Sequence, residues 1–124
     1  MQFKLYRCAR CGNIIVKVKD SGVLVVCCGE PMQELKANTT EAATEKHIPV
    51  LSISENKVDV TIGEILHPMT NEHFIEFVAL VTNLGYKINH LKPNNEPKTT
   101  FALEKGEKVV NCYAYCNLHS LWVK

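Results

Sequence analysis

Hydrophobic and polar residues alternate in short runs along most of this chain, with turn signals at close intervals. From residue 47 onward the runs are "IPVLSI", "KVDVTI", "FIEFVALVT", "YKINHL", "TTFAL", "KVVNCYAYC" and "SLWVK", punctuated by "NLG", "KPNNEP" and "EKGE". A period of two puts one side of a strand on a core and the other in water, so about seven short runs of this kind predict a β-sandwich. The stretch "EHFIEFVALVT" over 72–82 also fits helical spacing, but its β-branched and aromatic content favours a strand. Residues 1–36 form a second, miniature β pattern: "FKLYRC", "IIVKVK", the turn "DSG" and "VLVVCC". Between the two patterns, "KANTTEAATEK" over 36–46 is polar and without alternation. The division expected is a module over 1–36, a linker over 37–46 and a domain over 47–124, all of it β.

A unit of 36 residues buries too little apolar surface to offset its chain entropy, so it needs a staple such as a metal, or a partner chain. The whole chain has 124 residues, of which 46% are hydrophobic and 22% charged, with a net charge of +1. That composition is globular. Residues 1–36 carry six Lys or Arg against three acids and the remainder eight against ten, which lacks the concentrated basic charge of a nucleic-acid binder. No apolar run approaches the roughly 20 residues that span a bilayer, and "MQFKLYRCAR" lacks the apolar core of a signal peptide. A soluble cytoplasmic protein that binds neither nucleic acid nor membrane is expected. In a reducing cytosol the six cysteines are thiolates for ligation or redox work rather than disulfides.

Four of the cysteines form one constellation. "CARC" (Cys8, Cys11) and "CC" (Cys27, Cys28) supply four soft ligands, enough to complete a tetrahedron around zinc or a single iron. Adjacent residues of a strand point to opposite faces, so Cys27 and Cys28 reach one ion only if the backbone bends, and Gly29 is the expected place.

The second constellation is scattered. "EKHIP" holds His47, "HPMTNEH" holds His67 and His73, and "CNLH" holds Cys116 and His119, just before the only tryptophan, Trp122. Cys116 and His119 meet across one tight turn, like a metal knuckle. His67 and His73 share an ion only if the chain turns between them, where Pro68 and "TN" favour a bend. Four imidazoles and one thiolate narrow the metal to iron, zinc or copper. An iron with five protein ligands keeps one octahedral position open, and a thiolate opposite it pushes electron density onto a bound oxygen species. His90 has no such company, and Cys112, four residues before Cys116 on a strand, reads as a buried core thiol.

The motif "CxxC...CCGEPM" resembles the desulforedoxin module, and "EKHIP", "HPMxxxH" and "CNLHxxW" in this order resemble desulfoferrodoxin, the two-iron form of superoxide reductase. The resemblance implies a desulforedoxin-like β module followed by an immunoglobulin-like β-sandwich, with two iron ions per chain. The first lies among Cys8, Cys11, Cys27 and Cys28. The second has His47, His67, His73 and His119 as equatorial ligands and Cys116 as axial thiolate. It implies one-electron reduction of superoxide to hydrogen peroxide, an external donor such as rubredoxin, and a homodimer. Glu45 then matches the carboxylate that closes the open position in the ferric state, and Lys46 the lysine that attracts the anion. This chain has Phe74 and Phe77 where the family often has tryptophan, and Ser120 where it often has glycine. Two rival readings are non-catalytic: a blue-copper-like electron carrier, against which stand the lack of a methionine after His119 and more imidazoles than copper requires, and a zinc protein that binds partners through its four-thiolate site, which leaves the histidine cluster unexplained.

Overall fold

Each alternating run from residue 47 onward becomes a strand in the computed structural model, which describes residues 3–124. The chain divides into two compact units, Met1–Lys36 and Ala37–Lys124. In the second unit, β6 (Pro49–Ile53), β7 (Lys57–Ile62) and β10 (Lys98–Ala102) form an antiparallel sheet in the order β10-β7-β6. The strands β8 (Ile75–Thr82), β9 (Gly85–His90), β11 (Val109–Cys116) and β12 (Ser120–Val123) form another in the order β12-β11-β8-β9. The two sheets share one core, because Val58, Val60, Ile62 and Phe101 of the first pack in a single cluster with Val78, Leu80, Cys112 and Ala114 of the second. This is an immunoglobulin-like β-sandwich.

Residues 72–82 illustrate how tertiary pairing resolves an ambiguous pattern. Residues 75–82 form the strand β8, paired on both sides, and are buried apart from Glu76. Opposite Cys116 the register slips: Tyr115 pairs with Phe77 but Cys116 with Ile75, leaving Glu76 as a bulged residue. The bulge reverses the alternation, so Ile75 joins Val78 and Leu80 in the core beside Cys116.

The polar stretch expected to be a linker is held down at both ends. Asn38, at φ +60°, exchanges side-chain hydrogen bonds with the backbone of Val123 and donates its N–H to Leu121 O at 3.0 Å. Its other end is a single helical turn, α1 (Thr44–His47), so His47 sits on a helix rather than at a strand edge. The turn stops there because Ile48 precedes Pro49 and is confined to extended backbone, φ −72° and ψ 124°.

In the first unit, β1 (Leu5–Arg7) pairs with β2 (Ile14–Val16) and β5 (Gln33–Glu34), while β3 (Val26–Cys27) pairs with β4 (Glu30–Pro31). Leu5, Cys8 and Met32 are its buried apolar side chains among the described residues, a very small core. No helix among those residues is long and apolar enough to cross a membrane.

Candidate metal centres

The four cysteines of the first unit converge through two tight turns. After β1 the chain folds back, with Gly12 N–H donating to Cys8 O, and Cys8 Sγ accepts from Cys11 N–H at 3.4 Å. The second turn is the two-residue connection of the β3–β4 hairpin. Both of its residues, Cys28 (φ +53°) and Gly29 (φ +76°), are left-handed, the requirement of a type I′ turn. The expected bend is therefore made by Cys28 as well as Gly29, and that turns two adjacent side chains toward one point. The four Sγ atoms lie within 4.8 Å of one another, with Cys11 and Cys27 at 3.6 Å. All are free thiols. Backbone N–H groups of Cys11 and Arg10 lower Cys8 to about 6, while the neighbouring sulfurs of Cys11 and Cys8 raise Cys27, and raise Cys28 to about 12. Four thiols packed this closely cannot all ionise without a cation between them.

The second centre collects donors from four separate segments. His47 comes from α1, His67 and His73 from the loop between β7 and β8, Cys116 from the end of β11, and His119 from the three-residue loop before β12. Their rings contact edge to face in a closed circuit: His47–His67 and His67–His73 at 4.7 Å, His73–His119 at 5.1 Å and His119–His47 at 5.0 Å. The donor atoms of His47, His67, His73 and Cys116 lie within 4.8 Å of one another. His119 completes the group, its Nδ1 3.1 Å from His47 Nε2 and 3.9 Å from Cys116 Sγ.

Tautomers show what the group is built for. A carbonyl only accepts, so the contacts of His47 Nδ1 with Ala43 O and of His67 Nδ1 with Pro68 O, both 2.7 Å, place the proton on Nδ1 in each ring. Their Nε2 atoms then present lone pairs to each other at 3.2 Å, a contact no hydrogen bond relieves. His73 Nε2 is buried with no partner. Burial keeps these rings neutral: it lowers His47 and His73 and takes His67 down to about 4. Facing lone pairs on neutral, buried imidazoles, with an adjacent thiol, are a donor set that fits a metal cation. Cys116 is fully buried and its thiol is raised, chiefly by burial and also by the charge of Glu76, while the N–H groups of Leu118 and His119 pull it down.

Supporting residues lie outside the motifs. Trp122 stacks on His47 at 4.6 Å and donates Nε1–H to His119 O at 3.0 Å, so one side chain braces two rings. Gly63, at φ +89°, lets β7 turn directly under α1, since a Cβ there would lie 2.8 Å from Lys46 Cα and meet Ile65 O. A lone tryptophan three residues after His119 and a glycine closing an alternating run were the available signals. Lys46 is exposed, and its charge is felt by both His47 and His73. Glu45 stands outside the clustered donors and lines a cavity of about 430 Å³ with Ile48, Leu51, Glu64 and Lys124. His90 is exposed at the end of β9, and Cys112 is a core thiol pushed up to about 12 by burial.

The residues that build both centres lie within segments that match known families. The sequence pattern of Desulfoferrodoxin matches residues 39–124, and that of Desulfoferrodoxin, N-terminal domain, matches residues 2–35. The chain belongs to the desulfoferrodoxin family. Desulfoferrodoxin of Nitratidesulfovibrio vulgaris is 43% identical over 122 residues, covering 98% of this chain and 94% of that protein. The desulfoferrodoxin homolog of Archaeoglobus fulgidus is 39% identical, covering 96% and 94%. Among solved structures, the superoxide reductase from Treponema pallidum is 32% identical with a TM-score of 0.85, covering 100% of this chain and 99% of that one. Ser120, the expected departure from glycine, lies at φ +65° on leaving the Cys116–Ser120 hairpin loop.

Proposed function

We propose that this desulfoferrodoxin reduces superoxide by one electron to hydrogen peroxide at the histidine-rich centre, in the overall reaction of superoxide, one electron and two protons. The observation that carries the reading is the closed circuit of four imidazoles, with lone pairs facing inward, around a buried thiol. His47, His67, His73, His119 and Cys116 would hold a ferrous iron, which would supply the electron. The second iron is assigned to Cys8, Cys11, Cys27 and Cys28.

The chain's own groups then have separate tasks. Lys46 is an exposed cation whose charge reaches two of the rings, so it draws a small anion toward them, an effect that salt screens. Burial of Cys116 favours a neutral thiol, so holding a thiolate there depends on a cation and on the N–H groups of Leu118 and His119. Donation from the rings of His47 and His67 to carbonyls fixes their tautomers and keeps Nε2 free as a donor. Glu45, one residue before Lys46 on α1, is the carboxylate that would serve as a further oxygen donor to the ferric ion.

Each turnover consumes an electron, so a donor such as rubredoxin is required. A homodimer is supported by the small core of the first unit and its exposed Val18, Val23, Leu24 and Val26. Free thiols throughout support a reducing, cytoplasmic setting. The test is stoichiometric. Iron-loaded, pre-reduced protein exposed to superoxide pulses is expected to yield one peroxide per superoxide without releasing dioxygen. Half that peroxide, with dioxygen evolved, would mark a dismutase and overturn the proposal.

A further inference from the structure

His73 is the ring with the least support of its own. The rings of His47 and His67 are locked by donation from Nδ1 to a carbonyl, whereas the His73 ring makes no such bond among the described residues and its Nε2 is an orphan. Its loop closes on itself, with Thr70 N–H donating to His73 O at 2.9 Å and His73 N–H to Thr70 Oγ1 at 3.1 Å. These bonds shape the loop but leave its place against the other donors undetermined.

Asn117 supplies that place. Its Nδ2 donates to Glu72 O at 2.9 Å and its Oδ1 accepts from Phe74 N–H at 2.9 Å, so one amide group grips the residues on either side of His73. Its own N–H donates to Phe74 O at 3.2 Å. Asn117 directly follows Cys116 and stands two residues before His119. The grip needs a donor and an acceptor on one short planar group. Asp has no donor, and Ala has neither.

We infer that Asn117 is a positioning residue. It carries His73 onto the Cys116–His119 knuckle and sets the spacing of their donor atoms, an inference that rests on the metal reading above. Outer contacts of this kind typically tune metal affinity by about 10–100-fold.

The experiment is a mutant cycle on the full chain, its four-cysteine site first filled with zinc, titrated with cobaltous ion and followed by the visible bands of the second centre. Asn117→Ala is expected to weaken cobalt binding by about 10–100-fold and to shift those bands. Asn117→Asp, which keeps the Phe74 contact alone, should fall between the variant and the parent and still fold. Acting through His73, the Asn117→Ala change should alter affinity less than about 2-fold once His73→Ala is already present. Losses that add in the double variant, or an Asn117→Asp protein with parental affinity and spectrum, would overturn the inference. Failure of the parent chain to bind cobalt at this centre would instead overturn the metal reading itself.

Discussion

The two centres of this chain solve the same problem, holding a cation, in opposite ways. The four-cysteine cluster is made by two local turns within 21 residues, Cys8 to Cys28, and two of its sulfurs, Cys11 and Cys28, are exposed. Its donors are acids that compete for their protons: backbone N–H groups of Cys11 and Arg10 lower Cys8 to about 6, while the neighbouring sulfurs of Cys11 and Cys8 raise Cys28 to about 12. The histidine centre draws on residues 47 to 119, buries His47, His67 and Cys116, and uses donors kept neutral by that burial. A turn cluster that supplies all four donors of a tetrahedron suits a closed structural or electron-storing site. A scaffolded site with a cation at its edge suits exchange of a small anion.

The sharpest way to break this comparison is to remove one ligand from each centre. His67→Ala should abolish iron at the second centre and peroxide formation with it, while Cys8→Ser should empty only the first and leave superoxide reduction largely intact. Metal per chain and peroxide yield measure both, and loss of activity in Cys8→Ser would show that the two centres are not independent in chemistry. A smaller effect is expected at the edge of the second centre. Lys46→Ala should slow the second-order reaction with superoxide by roughly tenfold at low salt and flatten its ionic-strength dependence; an unchanged rate would remove the steering role.

The sandwich that carries the second centre also has an acid-sensitive clasp. Glu107 is buried, accepts from Thr82 Oγ1 at 2.6 Å, from Glu104 N–H and from Lys87 Nζ at 3.0 Å, and is lowered from 4.5 to about 2 chiefly by the Thr82 hydroxyl. A carboxyl lowered in the folded state contributes stability that is present above its unfolded value and is lost as pH falls. Unfolding of the metal-free chain should therefore become easier between pH 4.5 and about 2, and Glu107→Gln should flatten that slope. A slope that survives in Glu107→Gln would assign the acid sensitivity elsewhere. The smallest expected effect is at Ser120, whose left-handed backbone costs a non-glycine residue on the order of 1 kcal/mol. Ser120→Gly should raise thermal stability by about that amount with the metal spectrum unchanged, and a loss of stability would point to an uncompensated contact of the serine.

Much of the architecture was legible because it depends on local periodicity. A run such as the one that became β7 announces one buried and one wet face, whereas residues 75–82, buried apart from Glu76, read as a strand from their branched and aromatic side chains. "CxxC" and "CNLH" were legible because their donors meet across a single turn. The polar stretch before His47 misled, since Asn38 anchors it to β12 through bonds spanning 85 positions, and nothing local records such a partner. Asn117 was passed over for the same reason: its partners flank His73, 43 and 45 positions away. Glu76 gave no sign of its bulge, because a bulge is a property of a pair of strands rather than of one.

By itself, then, the order of residues determined strand content, the two groups of soft and imidazole donors, and the absence of charge for nucleic acid, all of which follow from side-chain chemistry and short-range spacing. Tertiary structure alone decided that His47 rides on a helical turn over Gly63, that four rings close a circuit with His73 Nε2 left unpaired, that Lys46 is near enough for two of them to feel its charge, and that one amide ties His73 to the knuckle. Those are outcomes of strand pairing and sheet packing, which set distances between segments far apart along the chain and so leave no mark on any local window.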